Sequence, residues 1–145
     1  MVLGYDLLNE AIPHFPKLAV LNPALEPLYK KLTGEIRKVH AHHILFLGGA
    51  QWDGNFSVFG KPFDANTAYT FHKYWTAPDE SAIRQYVDFR ERYDVPIWMG
   101  ESGGEYRRVD RAVRENAGEK QYRMGFLDVQ GDGKVVVGRQ HCSAS

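Results

Sequence analysis

Short apolar runs recur along this chain with room for a helix or a long loop between them. The first, Val2 to Asn9, is almost continuously apolar through Val2, Leu3, Tyr5, Leu7 and Leu8, as a parallel strand buried on both faces would be. Asn22 and Pro23 then supply an N-cap and a first-turn proline, and Leu25, Leu28, Tyr29, Leu32, Ile36 and Val39 fall on one helical stripe. His43 to Gly48 predicts a second strand, followed by a loop rich in aromatics and glycine from Gly49 to Asn66. Thr67 to His72 predicts a third. Thr76, Pro78 and Asp79 resemble a capping box ahead of a helix with Ile83, Tyr86, Val87 and Tyr93 on its inner side. Val95 to Gly100 predicts a fourth strand that runs directly into Glu101.

Strands alternating with helices or long loops point to right-handed βαβ units and a parallel sheet. Periodicity alone does not separate an open doubly wound sheet from a β/α barrel. Polar residues gather where the strands end: Asn9 and Glu10, Gln51 and Trp52, His72 and Tyr74, Glu101. Barrel enzymes assemble their chemistry at that rim. An open sheet that binds nucleotides would carry a glycine-rich phosphate loop after a strand, and the chain has none.

Composition narrows the partners. Eighteen acidic side chains balance eighteen basic ones and 43% of residues are apolar, so no strong field invites nucleic acid or an anionic membrane. No apolar run approaches the ~20 residues of a membrane span. The single cysteine, Cys142, excludes an internal disulfide framework, and the first residues lack the basic-then-apolar pattern of a secretory signal.

The chemistry resides in two carboxylates. Glu10 and Glu101 at two strand ends are the minimum equipment for cleaving a glycosidic bond, one donating a proton and the other attacking the sugar or activating water. Trp52 and Trp75 offer apolar faces to a sugar ring, whereas Trp98, inside a strand, is expected in the core. Other clusters carry less. His40, His42 and His43 sit at a helix-to-strand junction, on the face away from the carboxylates, without a partner at ligand spacing. Asp128, Gln130, Asp132 and Gly133 imitate a calcium loop, but Arg139 stands where a bidentate glutamate is required, and a hairpin turn explains them better. Arg107, Arg108, Arg111 and Arg114 read as a solvated helix face.

Four segments, LLNEAIPHF, GGAQWDGNF, YTFHKYW and VPIWMGESGG, resemble successive strand-end motifs of glycoside hydrolase family 5, the cellulase family. The resemblance runs from about residue 2 to residue 104. It implies an α/β fold, a partial (β/α)8 barrel of about four βα units matching strands four to seven. It also implies Glu10 as general acid/base, Asn9 as hydrogen-bond donor to the sugar 2-hydroxyl, Glu101 as nucleophile, and His72 and Tyr74 beside the substrate, with the tyrosine orienting Glu101. The expected reaction is retaining hydrolysis of a β-1,4-glucan or related polysaccharide, without metal or organic cofactor, by a family whose full-length members act outside the cytoplasm. The alternative is a fragment without turnover that binds sugar through Trp52, Trp75, His72 and Tyr74.

The chain departs from the family pattern in three places. Ala11 follows the acid/base glutamate where the family has proline. A closed barrel takes ~250 residues, so strands one to three would precede Met1, and the first and last strands would expose edges open to self-association. After Gly104 the pattern stops, and the expected tryptophan-bearing eighth strand is absent. Back-translation with the frame moved forward by one base permits a family-like continuation, including a tryptophan codon forced where Met124 meets Gly125. Residues 1–104 are therefore expected to be the barrel portion, and residues 105–145 an atypical, out-of-frame tail that still forms a hairpin from Phe126 to Gln130 against Lys134 to Gly138.

Overall fold

A computed structural model describes residues 2–14, 16–74, 80–103, 125–129 and 135–137. One sheet runs in chain order through β1 (Gly4–Asp6), β2 (Ile44–Gly48), β3 (Thr67–Tyr74), β4 (Ile97–Gly103), β5 (Gly125–Val129) and β6 (Val135–Val137). The first five strands pair parallel, and β5 and β6 pair antiparallel. Helices α1 (Leu18–Arg37) and α3 (Arg84–Tyr93) and the short turn α2 (Ala50–Asp53) supply the connections. The first four strands and their helices form a half-barrel, the partial (β/α)8 architecture that the motifs imply. The expected tail hairpin corresponds to β5 and β6, paired from Leu127 and Val137 to Val129 and Val135.

The two faces of the sheet have different chemistry. Leu47, Tyr69, Phe71, Ile97 and Met99 alternate onto the helix side and join Leu25 and Tyr29 of α1 with Tyr86 and Phe89 of α3 in one core. Phe56 sits at its centre, edge-on to Tyr86 at 4.8 Å and to Phe89 at 5.3 Å, while Phe71 stacks on Tyr86 at 3.9 Å. Such aromatic pairs add about 0.5–1.5 kcal/mol each beyond the area they bury. Register carries Asp6, Phe46 and Ala68 onto the opposite, inner face, where Gly48, Thr70 and Trp98 also align.

At the far end from the carboxylates, Arg37 closes α1 onto the sheet. Its guanidinium grips Asp64 with Nε at 2.9 Å and NH2 at 2.6 Å, and NH1 donates to the His43 carbonyl at 2.8 Å. Asp64 in turn receives the Asn66 amide and the Thr67 hydroxyl, both at 3.0 Å, and so orders the entry into β3.

Several boundaries differ from the sequence pattern. β1 is three residues long and partly exposed rather than buried on both faces, and among the described residues it pairs only with β2. α1 starts at Leu18, with Pro23 and Pro27 inside it, so Asn22 is not its cap and bonds to Gln51 instead. Leu28 and Val39 are exposed, and Val39 lies beyond the helix end. β3 extends to Tyr74, and β4 extends through Glu101, which lies within the strand rather than after it. Trp98 is half-buried on the inner face against Phe46, at 5.8 Å, rather than in the helix-side core. His40 and His43 flank Tyr5 at 5.5 and 5.2 Å at the base of the sheet. The capping box at Thr76 to Asp79, the turn from Gln130 to Gly133, and Arg107 to Arg114 lie outside the described residues.

Candidate active site

His72 is the hub. It lies near the end of β3 on the inner face, 5% exposed, and three carboxylates reach it from three other elements. Its Nδ1 lies 3.2 Å from Glu10 Oε1 and 3.6 Å from Glu101 Oε2, and its Nε2 lies 3.4 Å from Asp53 Oδ2. One ligating atom each from Glu10, His72 and Glu101 falls within a 4.8 Å span, so the three side chains face one small volume.

A strand irregularity sets the aim of Glu101. Phe71 aligns with Met99, but the next residue, His72, aligns with Glu101, leaving Gly100 as an extra residue in β4. Strict alternation from Met99 would turn Glu101 toward the helices; the bulge turns it inward beside His72. Glycine is required at the bulge, since a Cβ at residue 100 would meet Thr70 Oγ1 at 2.6 Å and His72 Nε2 at 3.2 Å. Tyr74, two residues beyond His72, donates its hydroxyl to Glu101 Oε2 at 2.8 Å. That bond pushes the phenol up to about 12, because the carboxylate favours its protonated form.

Glu10 arrives from the loop after β1 with φ of 49°, in the left-handed region that non-glycine residues rarely occupy. Asn9 is exposed beside it. Strain of this kind persists where surrounding structure fixes a side chain. Ile12, buried in the core two residues on, anchors the loop.

The turn after β2 is more strained. Gln51, Trp52 and Asp53 have φ of 50, 56 and 57°, three consecutive left-handed residues at about 1–2 kcal/mol each. A polar clamp holds them: Gln51 bonds to Asn22 at 2.9 Å and receives Asn55 at 2.7 Å, while Ala50 and Asn55 exchange backbone bonds at 3.0 and 2.8 Å. The effect is to send neighbouring side chains opposite ways. Trp52 faces out, 47% exposed, with its ring 4.3 Å from that of His14. Asp53 faces in, fully buried, and its carboxylate abuts the bare Cα of Gly48.

Asp53 is the residue that reading for strand-end glutamates passes over. Neither of its oxygens makes a well-aligned hydrogen bond. Burial pushes the carboxyl up to about 7, against the pull of the His72 ring, with Asp6 adding to the rise and the Glu10 backbone amide opposing it. Asp6, on the inner face of β1, is likewise raised, by desolvation first and then Glu101, with His72 opposing. The signal for Asp53 was present in GGAQWDGNF, where a carboxylate follows an aromatic between glycines. That for Asp6 is only its alternation with Gly4. Of the residues the sequence singles out, Glu10, His72, Tyr74 and Glu101 converge on one point, Asn9 and Trp52 stand at the same rim, and Trp75 lies outside the described residues.

Comparison with known proteins bears on the family and the fold. The cellulase family, glycosyl hydrolase family 5, matches residues 1–136. A curated relative, a beta-xylosidase from Phanerodontia chrysosporium, is 30% identical over 145 residues, covering 85% of this chain and 29% of its own length. Among solved structures, the clostridial cellulose synthase subunit Z (CcsZ) from Clostridioides difficile superposes with a TM-score of 0.61 at 17% identity, over 90% of this chain and 54% of that one. Thermotoga maritima Cel5A, a mutant form in complex with cellobiose, gives 0.57 at 16% identity, over 84% and 47%. The chain thus spans about half the length of these structures and under a third of the curated relative. With a family match across nearly its whole length and the half-barrel to go with it, the chain belongs to glycosyl hydrolase family 5.

Proposed function

We propose that the rim formed by Glu10, His72, Tyr74 and Glu101 is a retaining glycoside hydrolase centre acting on β-1,4-linked glucan. The observation that supports it is the approach of Glu10 and Glu101 to within 4.8 Å through one oxygen each. Retention calls for carboxyl groups ~5–5.5 Å apart, because a wider gap admits a directly attacking water. Glu10 donates a proton to the leaving oxygen, Glu101 attacks the anomeric carbon, and Glu10 then takes a proton from the water that hydrolyses the glycosyl-enzyme. The Tyr74 hydroxyl holds Glu101 Oε2 and leaves its other oxygen for the sugar. Asn9 donates to the 2-hydroxyl, and Trp52 offers an exposed ring on the acid side of the scissile bond.

A second reading, a sugar-binding centre without turnover, draws on the openness of the site. The Glu101 side chain is 41% exposed, and an active site works by excluding water. Incubation with soluble β-1,4-glucan separates the two. Release of reducing ends that Glu101→Gln abolishes, with the β-anomer appearing first by proton NMR, supports the hydrolase. Retardation in a glucan-containing gel without release of reducing ends supports the binder, and release that survives Glu101→Gln removes Glu101 from the mechanism.

A further inference from the structure

Asp53 takes no part in the reaction drawn above, yet the chain strains three residues to bury its carboxylate against His72. We propose that Asp53 is a positioning residue for the acid pair: its buried carboxylate, 3.4 Å from Nε2 of His72, favours the tautomer that carries its proton on Nε2, so that the Nδ1 lone pair faces Glu10. This rests on the hydrolase reading for its catalytic consequence, but not for its structural content.

The argument begins with the two ring nitrogens. A neutral imidazole carries one proton, and the partner of one nitrogen decides what the other can do. Nε2 has Asp53 Oδ2 at 3.4 Å, an anion acceptor in a fully buried setting, whereas Nδ1 faces Glu10 at 3.2 Å and Glu101 at 3.6 Å on the open side. With the proton on Nε2, it is the Nδ1 lone pair that turns toward Glu10, the group that must donate a proton in the reaction. With the proton on Nδ1, the ring would donate to Glu10 or Glu101 and leave Asp53 facing a lone pair in the interior. An unpartnered buried anion costs several kcal/mol, so the first arrangement prevails once Asp53 is ionised.

The surroundings support a built arrangement. Gly48 lacks the side chain that would occupy the place of the Asp53 carboxylate, and Gly100 lacks the one that would press on Thr70 and Nε2. The groups facing His72 are Asp6 from β1, Glu10 from the following loop, Asp53 from α2 and Glu101 from β4, the last held by Tyr74. Asp53 is the one of these that reaches Nε2. Burial lifts it into the neutral range, so the tautomer is set as Asp53 ionises there.

Nitrogen-15 NMR of the full chain at pH 8, with His72 assigned by its loss in His72→Gln, reads the tautomer without substrate. The expected result is a proton on Nε2 in the unmutated chain, moving toward Nδ1 in Asp53→Asn. A proton on Nδ1 in the unmutated chain overturns the proposal whether or not the variant folds, and an unchanged tautomer in folded Asp53→Asn overturns it as well. On soluble glucan, Asp53→Asn is expected to lower kcat about 100-fold, as misplacement of a catalytic group does, with KM within about twofold. An Nε2 proton that Asp53→Asn displaces, in a chain where Glu10→Gln leaves hydrolysis unaltered, supports Asp53 as positioner and refutes the hydrolase reading alone.

Discussion

A carboxylate buried for positioning should cost the fold something, and Asp53 allows the cost to be calculated. Its folded value of about 7 stands above the ordinary aspartate value of 3.8. A raised acid binds its proton more tightly in the native state, so native stability falls as pH rises from the unfolded value toward the folded one. The slope across that window is about 1.4 kcal/mol per pH unit, and the penalty saturates above pH 7 near 4 kcal/mol. Asn has the shape of the neutral acid and cannot ionise. The stability of Asp53→Asn relative to the unmutated chain should therefore rise with pH above about 4.

Between pH 5 and pH 8 the advantage of the variant should grow by about 3 kcal/mol. A polar group left unpaired by the buried amide costs about 1–3 kcal/mol, but that offset is the same at both pH values and cancels in the difference. Urea unfolding followed by tryptophan fluorescence at pH 5, 6, 7 and 8 measures it, with the m-value required to stay constant. A constant difference between the two chains across this range would mean that Asp53 does not titrate there, and the account of its burial would fall. A gain in stability combined with a loss of turnover is the expected signature of a residue kept for function.

The other expectations are more local. Gly100→Ala should cost roughly 1–3 kcal/mol by urea unfolding, since the new Cβ meets Thr70 Oγ1 at 2.6 Å and the bulge must open; unchanged stability would mean that the bulge does not need glycine. Tyr74→Phe should lower kcat on soluble glucan by about tenfold through loss of one charge-assisted hydrogen bond to Glu101, and an unaltered kcat would remove that bond from the mechanism. The Arg37 fork holds Asp64 below the usual carboxylate range, so its stabilisation is present above the unfolded value near 4 and is lost as pH falls through the lower folded one. Asp64→Asn should cost about 1–3 kcal/mol at pH 7 and less as the pH falls below the usual carboxylate range, and a cost that does not change with pH would refute the link. For the tail, resequencing the coding DNA should reveal a base gained or lost near codon 104; an intact frame would remove the proposed division at Gly104.

What the sequence made legible was whatever alternation and strand-end chemistry control. Tyr69, Phe71, Ile97 and Met99 lie within the predicted strands, and alternation, which needs only the neighbours along the strand, puts them on one face. Glu10, His72, Tyr74 and Glu101 stood out as polar residues at the end of apolar runs. Other features depended on pairings distant in sequence. The Gly100 bulge exists because Glu101 must face His72 across two strands, and nothing within VPIWMGESGG alone fixes which residue is the extra one. The inward Asp53 depends on Asn22 in α1 clamping Gln51, 29 residues away, and on a glycine at position 48. That dependence also accounts for Asn22. Read locally it is a helix cap, but α1 begins earlier, and the side chain freed from capping is the one that holds the left-handed turn. The error at Asn22 and the omission of Asp53 thus share one cause: a side chain chosen for a contact between elements, where local propensity has no bearing.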